Sequence, residues 1–222
     1  MKKITLILAG MALFVNTTKA QDKSFQKGNI SVDLGVGVAI YGTKLYSETT
    51  SGNITYKDDT TDRAGAVIFP LTFEYAVSNW LGVGARFAYS NYFEEKDSIS
   101  GEKSRVRGID AGVLFNFHFV KTKRFDLPIG FFVGYSNFNI QFNDPTNQVG
   151  KDDGFNYGFM LTPRIYFGDH IGIFFNAGYL AYTYPNIQFS NNTDPNMNDN
   201  NDWKFKIKGS GANFGAGLVV KF

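Results

Sequence analysis

Hydrophobic and polar residues alternate with a period of two along most of this chain, which is the spacing of side chains on a β-strand. The final segment illustrates the pattern. One set of alternate positions is hydrophobic: Ala212, Phe214, Ala216, Leu218, Val220 and Phe222. The other set is small or polar, with Val219 as an exception: Gly211, Asn213, Gly215, Gly217 and Lys221. The alternating segments do not follow a helical period, so the sequence predicts an all-β protein.

Eight such segments are present, and the connections between them alternate in length. The predicted strands span residues 28–42, 64–78, 81–93, 104–120, 126–142, 155–168, 171–184 and 206–222. Long polar connections lie at 43–63, 94–103, 143–154 and 185–205, and short turns lie at 79–80, 121–125 and 169–170. This alternation predicts an up-and-down antiparallel sheet with one decorated end, and the even strand count places both termini at the other end.

The composition of the polar face distinguishes a membrane barrel from a water-soluble one. A soluble barrel exposes a face dense in Lys, Glu and Thr, whereas the polar positions here are mostly Gly, Ser, Asn and Ala. The 23 Phe and 12 Tyr suit a lipid-facing surface, and the 24 Gly suit a cramped interior. Because lipid tolerates no open sheet edge, we predict an eight-stranded antiparallel up-and-down transmembrane β-barrel with short periplasmic turns and long extracellular loops.

The N-terminus has the layout of a secretory signal peptide. Lys2 and Lys3 precede an apolar run at 4–15, which is shorter than the ~20 apolar residues that a spanning helix needs. Thr18 and Ala20 occupy the −3 and −1 positions of a cleavage site. An uncleaved anchor helix is the alternative, but the polar stretch after the apolar run is typical of a cleavage region.

Cleavage at this site divides the chain into three parts: a signal peptide at 1–20, a periplasmic N-terminal lead at 21–27 and one transmembrane barrel at 28–222. The whole chain carries 22 basic and 20 acidic residues, and three of the basic residues fall within the predicted signal peptide. The mature chain is therefore almost neutral and lacks the basic face that nucleic-acid binding requires. The absence of cysteine excludes thiolate chemistry, and we predict no metal and no cofactor.

Few charged residues fall on the polar face of the predicted strands. The alternation directs five of them into the lumen: Asp33, Glu74, Arg86, Asp110 and Arg164. Buried charge is costly unless it is paired and hydrogen-bonded. We therefore expect at least one buried Arg–carboxylate pair and a plug of ion pairs in the lumen. The alternative is that some of these side chains lie in water at the mouths of the barrel.

Several positions interrupt the regular pattern. Pro70 and Pro163 fall inside predicted strands, which predicts a bulge or a shifted strand limit at each proline. In the fifth strand the hydrophobic positions change parity between Val133 and Phe138, which predicts a bulge near 136–137. Aromatic residues bracket the strands and predict an interfacial girdle at each end. The periplasmic set is Trp80, Phe119, Phe125 and Phe167, and the extracellular set is Tyr41, Phe93, Phe142, Tyr182 and Tyr184.

These features resemble the small outer-membrane β-barrel proteins of the OmpA/OmpX type, in particular the outer-membrane β-barrel-domain, or porin-like, family common in Bacteroidetes. The resemblance covers the whole mature chain and rests on the signal peptide, on strand pairs such as NWLGVGARFAYSNYF and on a last strand that ends in Phe222. It implies the outer membrane of a Gram-negative bacterium, contact with its lipid and lipopolysaccharide, and insertion by the barrel-assembly machinery. The residues implied as the assembly signal are Gly215, Leu218, Val220 and Phe222.

Groups of catalytic residues are nearly absent. The two histidines, His118 and His170, both lie at the predicted periplasmic end, where neither could activate a serine at the outer rim. We therefore predict a monomeric, non-enzymatic barrel with a structural or surface-interaction role and a plugged lumen. A narrow porin-like channel for small solutes is the main alternative. A soluble exported ligand-binding barrel is a third reading, and such a barrel would need no detergent.

Overall fold

The computed structural model describes residues 23–51, 54–93, 104–142, 149–190 and 201–222. The predicted signal peptide lies outside these residues. The described part contains ten β-strands: β1 (Ile30–Ser51), β2 (Ile54–Ala76), β3 (Leu81–Tyr92), β4 (Ser104–Lys121), β5 (Phe125–Phe142), β6 (Val149–Leu161), β7 (Arg164–Tyr166), β8 (Ile171–Tyr184), β9 (Gln188–Ser190) and β10 (Asn201–Lys221). In the described ranges, no helix has the length and apolar character needed to cross a membrane.

The strands form one antiparallel sheet that closes on itself. β1 to β5 pair in chain order, and β10 pairs with both β1 and β8, which completes the ring. Two short strands extend longer neighbours: β7 resumes the course of β6, and β9 follows β8 and pairs with β6 at the other end. When β7 is counted with β6 and β9 with β8, the ring has eight strands. The predicted eight-stranded antiparallel barrel is therefore confirmed.

Side chains alternate between the lumen and the outer surface. On β3, Phe87 and Tyr89 are exposed, whereas Arg86 and Ser90 are buried. On β1 the outward side chains are apolar from Ile30 to Ile40, which is 67% exposed. A continuous apolar outer wall would be unstable in water but matches the lipid-facing band of a membrane barrel. The core of the protein is the lumen.

The two longest predicted loops are wrong in part, because much of each is strand. β1 and β2 continue as a hairpin to Ser51 and Ile54, within the predicted loop 43–63. β10 begins at Asn201, within the predicted loop 185–205. The outer half of the hairpin has polar residues on both faces, since both faces lie in water there. The ladder of backbone hydrogen bonds holds it, and no hydrophobic period marks it in the sequence.

The predicted irregularities have mixed outcomes. At Pro163 the strand limits shift as expected, because β6 ends at Leu161 and β7 begins at Arg164. The expectation at Pro70 is wrong: this residue lies opposite Ala88 inside β2, and equal numbers of unpaired residues on β1 and β2 preserve the register.

The predicted bulge at 136–137 is also wrong. Ser136 and Asn137 pair in unbroken register with β4 and β6. The parity of β5 therefore never changes, and Phe138 points into the lumen, where it packs against Tyr184. Along β5 most of the apolar residues lie on the outer wall up to Val133 and in the lumen from Phe138 onward. The change in the hydrophobic pattern therefore marks the level in the barrel at which the apolar face changes from the outside to the inside.

Candidate functional site

The periplasmic half of the lumen holds a group of charged side chains that we call the lumen network: Asp33, Glu74, His118, Asp126 and Arg164. These residues come from five different strands of the barrel: β1, β2, β4, β5 and β7. All five are buried. Room for them comes from small neighbours, since a Cβ atom at Gly82 would overlap the Glu74 carboxylate.

Arg164 is the centre of the lumen network. Its Nη2 donates hydrogen bonds to Asp33 Oδ2 at 2.7 Å and to Glu74 Oε2 at 2.8 Å. Its Nη1 lies 3.6 Å from Asp126 Oδ2. One guanidinium thus faces three carboxylates, so additional positive charge is needed to balance the group.

His118 supplies a second bridge within the lumen network. Its Nε2 lies 2.6 Å from Glu74 Oε1, and its Nδ1 lies 2.9 Å from both carboxylate oxygens of Asp126. Carboxylates only accept hydrogen bonds, so both ring nitrogens donate only when the imidazole carries both protons. In that form His118 is the second cation among three acids. The ammonium of Lys221 lies over the ring of Tyr166, 4.9 Å from its centroid.

The N-terminal lead covers this network from the periplasmic side. Phe25 is 1% exposed, and its ring stacks on His118 with a centroid distance of 3.4 Å. Ser24 fixes the lead, because its N–H donates to the Thr122 carbonyl and its Oγ to the Phe125 carbonyl, both at 2.8 Å. The part of the predicted lead that is described, from residue 23, is therefore folded against the mouth of the barrel.

The other two predicted lumen charges have different partners. Asp110 accepts hydrogen bonds from Ser136 Oγ at 2.5 Å and from the Tyr182 hydroxyl at 3.0 Å. Arg86 lies 4.7 Å from the centre of the Phe132 ring. The structure thus brings Asp33, Glu74 and Arg164 together, while Arg86 and Asp110 lie in the lumen without joining that network.

On the long-loop side of Asp110, five aromatic side chains lie across the lumen, and each ring is close to the next, so that the five form a closed ring. We call this group the aromatic layer. Its members are Tyr41, Tyr92, Phe138, Tyr184 and Tyr182, in that order, with successive ring centroids between 4.9 and 6.3 Å apart. The prediction of Tyr41, Tyr182 and Tyr184 as girdle residues is wrong, because all three point inward. A cavity of about 480 Å³ opens outward above the layer.

Four of the remaining predicted girdle residues have the expected exposure. Trp80, Phe119 and Phe167 are exposed at the short-turn end, and Phe93 is exposed at the long-loop end. Phe125 is half-buried, and the side chain of Phe142 lies outside the described residues. The wrong assignments thus concern only lumen-facing tyrosines, whose parity along β1 and β8 points inward.

Sequence reasoning missed three members of this site. His118 shares the parity of Asp110 on β4, and Asp126 lies opposite in parity to the lipid-facing Ile129, so the alternation contained a signal for both. Phe25 precedes the first strand, and no pattern indicated its position. Within the described ranges, no cluster of three or more His, Cys, Asp or Glu is placed to hold a metal ion.

The residues of the implied assembly signal lie on β10 or directly after it. Leu218 is exposed on the outer wall, while Gly215 faces the lumen. Phe222 exchanges backbone hydrogen bonds with Ile30 at 2.8 and 3.0 Å, which continues the pairing between β10 and β1. Their recognition by the assembly machinery stays a prediction.

Comparison with known proteins identifies the fold. No protein-family model matches the chain, and no curated protein matches it. Among solved structures, the outer membrane protein OprG from Pseudomonas aeruginosa is 13% identical, with 89% of this chain and 97% of that one covered and a TM-score of 0.64. The outer membrane protease OmpT from Escherichia coli is 14% identical over 90% and 98%, with a TM-score of 0.52. This likeness and the apolar outer wall together place the chain, by fold, among the outer-membrane β-barrels of Gram-negative bacteria.

Proposed function

We propose that this chain is an outer-membrane barrel with a closed lumen, acting at the cell surface in a structural or interaction role. The observation that carries the proposal is the lumen network beneath Phe25. Three carboxylates, one guanidinium and one imidazole fill the periplasmic half of the barrel, and an aromatic ring covers them. A solute that crosses the lumen would have to part these pairs.

The energetic cost of opening supports a closed state. Removing one partner from a buried ion pair costs about 3–5 kcal/mol, because the other charge is left without compensation. Arg164 has three carboxylate neighbours, so its displacement would leave several such charges. The aromatic layer provides a second barrier nearer the cell exterior.

The extracellular end offers the surfaces for interaction. The β1–β2 hairpin extends well beyond the apolar wall, and the cavity above the aromatic layer opens in the same direction. In this proposal the chain is not an enzyme. His118, the one buried histidine among the described residues, is held between Glu74 and Asp126 at the end remote from this surface.

A narrow channel is the second candidate, and one observation favours it. Between the lumen network and the aromatic layer lies a small pocket of about 20 Å³ with a mixed lining. Its polar border includes Asp33, Thr72, Arg86, Asn116 and Asn176, and its apolar border includes Leu114, Met160 and Phe174. That volume is enough for a single water. A conducting path would require both barriers to move.

Conductance of the mature chain in a planar bilayer separates the two candidates. The purified protein is first shown to be folded by its heat-modifiable migration in a gel. A folded protein that gives a silent bilayer supports the closed lumen. Steady, discrete openings of the unaltered chain would overturn it and favour the channel.

A further inference from the structure

The periplasmic end of the barrel carries a group of exposed cations. We call this group the basic face: Lys23 and Lys27 on the N-terminal lead, and Lys123 and Arg124 in the turn between β4 and β5. All four residues are exposed. Asp169, in the turn between β7 and β8, is the one exposed acidic residue among those described at this end. The basic face therefore presents an excess of positive charge to the periplasm.

Hydrogen bonds of the lead hold the parts of the basic face together. The Ser24 N–H donates to the Thr122 carbonyl at 2.8 Å, so Lys23 lies directly beside the turn between β4 and β5. Further along the lead, the Lys27 N–H donates to Asn79 Oδ1 at 3.0 Å, in the turn between β2 and β3. Cations from separate parts of the sequence thus share one rim in a fixed arrangement. A surface that is ordered before it binds loses little conformational entropy on binding.

The charges of the basic face are not neutralised within the described part of the chain. No carboxylate described there lies within ion-pair distance of any of its four cations. Two other lysines at this end are engaged in the fold. The Lys121 ammonium donates to the carbonyls of Asn79 and His118, and the Lys221 ammonium donates to the Lys23 carbonyl at 3.3 Å. The four cations of the basic face remain available to a partner.

The basic face extends across the mouth of the barrel as well as along its rim. Lys23 directly precedes Ser24 and Phe25, which are both buried, and Phe25 covers the lumen network. Lys123 and Arg124 form the tip of their turn, which is the part of that hairpin farthest from the bilayer. Phospholipids surround the outer wall, so their headgroups can reach the rim but not the mouth. The position of the basic face therefore fits a partner that lies beneath the barrel in the periplasm.

The composition of the basic face indicates the chemistry of that partner. A protein partner would need aromatic or apolar anchors at the centre of the contact. The large apolar side chains exposed at this end, such as Trp80, Phe119 and Phe167, belong instead to the girdle at the membrane interface. A polymer with many carboxylates needs only positive charges spaced along a surface, and lysine binds anions in this way, as a point charge. Beneath the outer membrane, a polymer of this kind is the peptidoglycan of the cell wall, whose peptide stems carry free carboxylates.

We propose that the basic face binds the carboxylates of peptidoglycan and so tethers the barrel to the cell wall. Each contact is an exposed ion pair, which is weak by itself. The polymer presents its carboxylates repeatedly, so several pairs form together and strengthen one another. This proposal goes beyond the closed lumen and does not depend on it. Failure of the binding test below would leave the proposal of a closed lumen unaffected.

The test is co-sedimentation of the whole folded mature chain, in neutral detergent, with purified insoluble peptidoglycan. An exposed ion pair contributes about a 1.4- to 5-fold gain in affinity. Lys123→Gln/Arg124→Gln should therefore bind about 2- to 25-fold more weakly than the unaltered chain, and Lys23→Gln/Lys27→Gln should show a loss in the same range. Heat-modifiable migration in a gel establishes that each variant is folded.

Lys206→Gln/Lys208→Gln is the matched control, because it removes two positive charges from β10 at the extracellular end. It should bind peptidoglycan as the unaltered chain does. Equal binding by all four proteins would overturn the proposal, as would undiminished binding of peptidoglycan whose carboxylates have been converted to amides. Native mass spectrometry with phosphatidylglycerol tests an anionic lipid as the partner. If the two periplasmic variants lose this lipid by the same factor as they lose peptidoglycan, the assignment to the polymer is overturned.

Discussion

The ring of Phe25 lies flat on the imidazole of His118, with a centroid distance of 3.4 Å and an interplanar angle of 6°. This contact joins a residue outside the sheet to the middle of a buried ion network. It keeps water from Glu74 and Asp126, the two carboxylates that hold the imidazole. The N-terminal lead is therefore an integral part of the interior of the barrel.

Replacing Phe25 by alanine should destabilise the barrel by about 3 kcal/mol, the lower end of the range for a buried phenylalanine. The free energy of unfolding in guanidinium measures this loss. Phe167→Ala is the matched control, because Phe167 is exposed at the same end of the barrel and its loss should cost less. Equal losses for the two variants would show that the lead does not seal the lumen.

Arg164→Met should destabilise the barrel by about 3–5 kcal/mol, because three buried carboxylates lose their shared guanidinium. Neutralising two of these acids in the same chain, as Arg164→Met/Asp33→Asn/Glu74→Gln, should recover part of the loss. The fraction of folded protein is measured by heat-modifiable migration and urea unfolding. If the triple variant is no more stable than Arg164→Met, charge balance is not what holds the network.

Tyr182→Phe should cost about 1.5–3 kcal/mol of stability, because it removes a hydrogen bond to a buried carboxylate. Asp110 would keep Ser136 as its partner. Tyr179→Phe on the same strand is the control, since Tyr179 faces outward and its hydroxyl is not part of the layer. The prediction fails if both variants unfold at the same denaturant concentration.

Leu218→Arg should hinder insertion and cost about 2–4 kcal/mol, the range for arginine on the lipid face near the midplane. Leu218 is 59% exposed on the outer wall. Leu218→Phe keeps the surface apolar and should insert normally. The yield of folded protein in lipid vesicles measures both. Normal insertion of the arginine variant would mean that this face does not contact lipid.

A neighbouring substitution illustrates the difference between parity and packing. Parity alone places Gly217 in the lumen and predicts that Gly217→Ala is milder than Leu218→Arg. In the structure, a Cβ at this position would press against the Leu34 carbonyl and the Gly35 backbone. Gly217→Ala is therefore also expected to destabilise the barrel, because backbone cannot move aside as a flexible side chain can.

The polar hairpin of β1 and β2 shows where sequence reasoning ended too early. Residues 43–51 form strand although they lie within a predicted loop. Hydrophobic alternation marks a strand only while one face meets lipid or the core. Outside the membrane both faces meet water, so the strand continues by backbone pairing that leaves no signal in the side chains.

The sequence by itself determined the number of strands in the barrel and the order in which they pair. It also determined that Asp33, Glu74, Arg86, Asp110 and Arg164 lie on the lumen face. It could do so because side chains on a strand alternate strictly and lipid requires a closed sheet. Only the tertiary structure decided which of these charges meet. Asp33 and Arg164 lie 131 residues apart and share a hydrogen bond across the lumen. Such partners depend on the stagger between strands and on the depth of each residue in the barrel, and alternation along a single strand contains neither quantity.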